Sequence, residues 1–295
     1  MKKQLLSLLT ILLFFNAKAQ YEYSPTGRND APTLGKVGGF TGGYFTSMLN
    51  NRDDLNADKR LDPQMMNFNY AAGVELMSWF QHTVGFGGQL MYWNAGASYI
   101  GQDTLTKIKL SGKTSLTYIK MPLMFYFKSY NRYYPNRRIR FNSAFGPYVA
   151  LLTGVKEGVR FYDTLNNTIN EYSFSNRSFK GMGTTKAKIS GDLMNPFDLG
   201  FVFSLGGEAR LWRRTIISLN IRTDIGFVNV ENTRKMKILY DGQTQDQDFA
   251  FWNGYYAKYV NPNATDVATG WEANRPATKN FSVGAFLTVK KYLSK

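Results

Sequence analysis

The chain has 295 residues, no cysteine, one histidine and a formal net charge of +15. Without cysteine there are no disulfide staples, and one imidazole with no thiolate excludes the usual transition-metal centres, so no cofactor is expected. The basic residues form neither a basic helix nor an RNA-binding signature, so nucleic acid is not implied; aromatics at 16% suit a membrane barrel with aromatic girdles better than a soluble domain.

The first segment, residues 1–19, reads as a secretory signal. Lys2 and Lys3 precede a short apolar run from Leu5 to Phe15, and Ala17-Lys18-Ala19 supplies small residues at the cut. Cleavage after Ala19 removes Lys2, Lys3 and Lys18 and lowers the net charge to +12. The apolar run is shorter than the roughly 20 residues that a spanning helix needs. No later segment comes near such a run, so a membrane form must be a closed barrel, in which strands satisfy one another's backbone groups.

Residues 20–35, rich in Pro, Asn, Asp and Gly, read as a periplasmic lead-in, and residues 36–295 as the barrel. The first strand, 36–49, is weakened by four glycines. The next two, 67–80 and 83–99, alternate cleanly about the tight Gln81-His82 connection. The fourth, 114–129, holds YIKMPLMFYFK, in which Ile119, Met121, Leu123, Phe125 and Phe127 face one way and Tyr118, Lys120, Pro122, Met124, Tyr126 and Lys128 the other. Pro122 cannot donate to a ladder, so a bulge or a missing hydrogen bond is expected beside it. Four further strands follow at 138–153, 196–211, 215–230 and 279–292. The connections alternate long and short, with loops at 50–66, 100–112, 154–195 and 231–278. This predicts an all-β fold: an eight-stranded antiparallel up-and-down transmembrane barrel with long outer loops, short periplasmic turns, and both termini on the periplasmic side of the outer membrane. A soluble eight-stranded barrel would show the same period with its apolar face inward.

YIKMPLMFYFK, with its mid-strand proline, resembles a strand of the PorT-like family of bacterial outer-membrane β-barrels. FGGQLMYWNAGASY (residues 86–99), FNSAFGPYVALLTG (141–154), DLGFVFSLGGEARL (198–211) and NIRTDIGFVNV (220–230) are similar to further strands of that family in the same order. The long loops and the basic tail Lys290-Lys291-Tyr292-Leu293-Ser294-Lys295 depart from its compact members with aromatic termini. The resemblance implies an outer-membrane location. Some family members are implicated in type IX protein secretion, which makes an anchor or accessory subunit of an envelope assembly the expected role.

Three groups of residues are candidates for that role. Glu75, Gln89, Arg140, Asn142, Glu208, Asn220 and Arg222 fall at similar heights on the inward row, with Lys120 and Asp224 slightly higher. An eight-stranded lumen is only wide enough for side chains to fill, so they read as a hydrogen-bonded plug, or else as a narrow solute path. Lys128, Arg132, Arg137, Arg138, Arg213, Arg214, Lys290, Lys291 and Lys295 read as a basic periplasmic rim facing anionic lipid or an acidic envelope protein. Phe249, Phe251, Trp252, Tyr255 and Tyr256 flank an Asn253-Gly254 hairpin signal in the last outer loop, and read as loop packing or a partner contact. Asp103-Thr104-Leu105 and Asp163-Thr164-Leu165 resemble the O-glycosylation sequon of bacteria that carry this family. Asp53, Asp54, Asp58 and Asp62 lack EF-hand spacing and read as a solvated face. His82 sits in a periplasmic turn away from any serine–carboxylate set at the outer rim, which argues against a surface enzyme.

Overall fold

The computed structural model describes residues 35–50, 61–64, 67–102, 108–129, 139–163, 168–175, 178–180, 186–190, 194–212, 214–230, 237–240, 243–245 and 278–293. Every regular element among them is a strand. In chain order they are β1 (Gly35–Asn50), β2 (Leu61–Gln64), β3 (Phe68–Trp79), β4 (Val84–Gln102), β5 (Ile108–Lys128), β6 (Ile139–Asp163), β7 (Thr168–Ser175), β8 (Ser178–Lys180), β9 (Lys186–Ser190), β10 (Phe197–Arg210), β11 (Thr215–Gly226), β12 (Lys237–Tyr240), β13 (Gln243–Gln245) and β14 (Lys279–Tyr292).

Eight of these close a barrel. β1, β3, β4, β5, β6, β10, β11 and β14 pair antiparallel in that order, and β14 returns to β1. Paired residues followed once around the ring run Gly35, Trp79, Gly85, Tyr126, Ala144, Ser204, Arg222, Gly284 and back to Phe45, a stagger of ten residues. A stagger of that size tilts the strands by about 40° and leaves a lumen that side chains fill.

The two faces separate by period. Outward rows such as Phe40, Tyr44, Phe68, Leu123, Phe145, Phe203 and Ile221 are exposed, up to 80% for Phe68, while the lumen holds both the buried apolar residues and the buried charges. In water this exposed surface would be a severe liability; in acyl chains it is the expected lining. The opening motif behaves as its period requires. Ile119, Leu123 and Phe125 face out, and Tyr118, Lys120, Pro122, Met124, Tyr126 and Lys128 are buried.

The ladder between β4 and β5 pairs Gly88 with Leu123 and Met91 with Lys120 but lapses between them, opposite Met121 and Pro122, where the missing donor falls. The bulge itself sits elsewhere. The β5–β6 register shifts between Thr117 and Tyr118, whose partners are Gly154 and Leu152, so Thr153 is the extra residue. The Thr153 hydroxyl donates to the Thr117 carbonyl at 3.0 Å.

The long outer connections differ from expectation. β4 runs on to Gln102, β5 begins at Ile108 and β6 continues to Asp163, so residues read as loop belong to strands. β7, β8 and β9 lie in the connection read as polar loop, and β12 with β13 in the last one. β9 pairs with β12, which ties these two connections together. A 25-residue strand such as β6 rises far more than the roughly 30 Å of a hydrocarbon core, so this sheet stands beyond it.

Candidate functional site: a polar and aromatic plug in the lumen

In the upper half of the lumen, strand parity brings Lys120 on β5 and both Arg222 and Asp224 on β11 inward. The Asp224 carboxylate accepts from Lys120 Nζ at 2.5 Å and from Arg222 Nε and Nη2 at 2.7 and 3.0 Å. All three residues are buried, with Asp224 only 2% exposed. Both cations also lie against rings. Lys120 Nζ is 3.5 Å from the Tyr148 ring centre and 4.3 Å from that of Trp93. The Arg222 guanidinium is 4.9 Å from the Trp93 ring and 5.1 Å from that of Phe286. Such contacts replace part of the hydration that burial removes. Above them, Asp198 accepts from the Tyr148 hydroxyl at 3.0 Å and from Asn280 Nδ2 at 2.8 Å.

The network continues downward. Arg222 Nη1 donates to Gln89 Oε1 at 2.8 Å, and Gln89 Nε2 donates to Glu75 Oε2 at 2.6 Å. Lys290 Nζ then lies 3.8 Å from Glu75 Oε1 and 3.9 Å from Glu208 Oε2. Arg140 stands directly across the ladder from Glu208, and Asn142 across from Lys128. Lys128 Nζ sits 3.9 Å above the Trp79 ring and donates to the Tyr292 hydroxyl at 3.4 Å. A cavity of about 30 Å³, lined among others by Glu75, Asn142, Asn220 and Glu208, and a second of about 10 Å³ beside Lys120 and Asp198 are room for isolated waters.

The structure therefore gathers all nine belt residues in the lumen, but in tiers rather than at one height, because the stagger raises each strand relative to the last. It also corrects two rim assignments. Lys128 and Lys290 are buried inside the barrel, at 4% and 5% exposure, since each shares parity with inward neighbours, Tyr126 and Thr288. Of the remaining rim residues, Arg214 and Lys291 are exposed at the short-turn end. Arg132, Arg137, Arg138, Arg213 and Lys295 lie outside the described residues, as do Phe249, Phe251, Trp252, Tyr255 and Tyr256, the whole sequon at Asp103, the Thr and Leu of that at Asp163, and Asp53, Asp54 and Asp58. Among the described residues no cluster of His, Asp or Glu could hold a metal ion.

Sequence reasoning missed an aromatic stack across the centre. Phe45 lies 4.2 Å from Trp93 and 6.1 Å from Phe286, with Trp93 and Phe286 5.6 Å apart, all stacked. The readable signal was the glycines that face it. A Cβ on Gly43 would lie 2.7 Å from the Phe286 ring and 2.4 Å from the Ala285 carbonyl oxygen. Gly43→Val is expected to destabilise the barrel by about 1–3 kcal/mol through overpacking, read as a lower midpoint of the heat-induced mobility shift in detergent.

A closed eight-stranded barrel with an apolar exterior and an ionic, aromatic interior defines an integral outer-membrane β-barrel. The model of the outer membrane protein beta-barrel domain matches residues 34–232, and the chain belongs to that family. No curated protein matches it in sequence. Among solved structures it is similar to OprG from Pseudomonas aeruginosa at 11% identity, covering 90% of this chain and 99% of that one, with a TM-score of 0.37. It is also similar to Ail, the attachment invasion locus protein of Yersinia pestis, at 8% identity, covering 87% and 99%, with a TM-score of 0.32. The outer membrane protease OmpT from Escherichia coli is a further match at 8% identity, covering 88% and 94%, with a TM-score of 0.28.

Proposed function

We propose that this protein is a non-conducting, non-enzymatic barrel that serves as anchor or accessory subunit of an envelope assembly. The observation that carries the reading is the plug, in which ion pairs and stacked rings occupy the lumen from Tyr118 and Asp198 down to Lys128 and Tyr292. Lys120 and Arg222 pair with Asp224, Lys290 lies near Glu75 and Glu208, Lys128 lies over the Trp79 ring and Asp198 accepts from Asn280, an arrangement that favours a locked core over a path for ions. Catalysis finds no support in His82, which lies in the short β3–β4 connection. The PorT-like resemblance points to a secretion complex of the type IX kind as one such assembly, and exposed Arg214 and Lys291 suit anionic headgroups or an acidic periplasmic partner at the short-turn end.

In planar bilayers the purified protein is expected to give no reproducible ohmic steps. Such steps would replace this reading with the narrow solute pore. Co-purification from detergent-solubilised outer membranes tests the accessory role directly: a stoichiometric envelope protein supports it, and recovery of the barrel alone favours a stand-alone role.

A further inference from the structure

The outward face of β5 changes character along one continuous row. Phe127, Phe125, Leu123, Met121 and Ile119 form its lower part. The same parity continues through Thr117, Ser115, Lys113, Ser111 and Lys109. Below Thr117 the row is wholly apolar; from Thr117 upward it is wholly hydroxyl and ammonium. Lys109, Ser111 and Lys113 are exposed, and Ser115 and Thr117 are half-exposed. The buried partners between them, Gly112, Thr114, Leu116 and Tyr118, show that the strand has not turned over.

The neighbouring strand adds a third exposed lysine. Lys156 on β6 stands directly across from Ser115, and Gly158 across from Lys113. In the register Ser111 lies between Ile100 on one side and the exposed Arg160 on the other, with Asp62 paired to Ile100 and Glu171 paired to Arg160. Glu157 stands opposite the inward-facing Thr114.

The height of the patch indicates what it meets. Lys113 is six residues beyond Ile119 and Lys156 five beyond Leu151, the last exposed apolar residues of their strands among the side chains described. At about 2.5 Å of axial rise per tilted residue, their backbones stand some 12–15 Å above the acyl-facing row. Lysine stems let the ammonium groups drop toward phosphate depth. The end with the long connections faces outward in barrels of this architecture, so the molecule in contact with this row is the glycolipid of the outer leaflet.

We propose that Lys109, Lys113 and Lys156, with Ser111 and Ser115 as neutral donors, bind the phosphates of outer-leaflet lipid A. The continuity of this row with the lipid-facing row on one strand favours a lipid over an acidic protein. The inference uses neither the plug nor the accessory role, and stands or falls separately from them.

The test uses the full chain purified in detergent, with bisphosphorylated lipid A and the same lipid A after dephosphorylation as probes, followed by native mass spectrometry and the heat-induced mobility shift. The wild-type protein is expected to hold the bisphosphorylated form about tenfold more tightly, an advantage that weakens as salt rises. The variant K109Q/K113Q/K156Q is expected to bind both forms at the level of the dephosphorylated lipid. Equal affinity of the wild-type protein for the two probes, or unchanged binding in the triple variant, overturns the proposal. If the triple variant fails to fold, the wild-type comparison and K113Q alone still decide.

Discussion

Asp224→Ala is expected to cost about 3–5 kcal/mol of barrel stability, because it leaves Lys120 and Arg222 buried against each other with no carboxylate between them. The geometry makes the loss large. Asp224 accepts three charge-assisted hydrogen bonds at 2.5, 2.7 and 3.0 Å in a site closed to solvent. The rings of Trp93, Tyr148 and Phe286 soften the cost without cancelling it, since a desolvated cation–π contact is worth about 2 kcal/mol, less than a buried ion pair broken on one side. Denaturant titration of folded protein in detergent or liposomes measures the effect. The triple replacement Lys120→Met, Arg222→Met, Asp224→Leu is expected to recover most of it, because exchanging a complete buried ionic cluster for apolar groups of similar volume is close to neutral. If Asp224→Ala were as stable as the wild type, water would have to reach these groups, and the plug reading would fail with it.

Phe203→Arg should be the second large effect. Phe203 points outward midway along β10, opposite Phe145 and Thr223 in the register, and is half exposed. At the centre of a bilayer an arginine there costs about 2–4 kcal/mol, whereas the same change at Phe227, just past the end of β11, costs about 0–1 kcal/mol. The depth dependence is the diagnostic part. In detergent micelles, which thin and deform around a charge, the two variants should differ less than in liposomes. Equal, small effects at both positions in liposomes would mean that the outward face does not lie in acyl chains.

Much of this architecture is legible in the sequence because a bilayer imposes one rule on every strand. Period-two alternation places Ile119, Leu123 and Phe125 outside and Lys120 and Met124 inside without reference to any other residue. The rule weakens where the surroundings change. Beyond the bilayer a strand has no acyl face to satisfy, so the extension of β5 back to Ile108 and of β6 on to Asp163 reads as loop. Even so, Ile108, Leu110 and Leu116 alternating against Lys109, Ser111 and Ser115 retained a trace of it. The aromatic stack was hidden for a different reason. Equating inward with polar overlooks that a lumen this narrow is filled by whatever fits, and Phe45, Trp93 and Phe286 fit because Gly43 and Gly284 stand beside them. Which charge meets which is illegible in one dimension. The ten-residue stagger sets Lys120 beside Asp224, more than a hundred positions away, and no local pattern carries that number.

Lys290 holds a position with a bearing on assembly. It belongs to β14, the barrel strand that follows all the others in chain order, and it lies within 4 Å of both Glu75 and Glu208, contributed by strands far apart in the chain. Until that segment arrives, two anionic groups in a nascent interior have lost this shared counter-ion. A chain broken off before residue 279 would therefore lack more than its seam; it would carry an electrostatic defect at its heart.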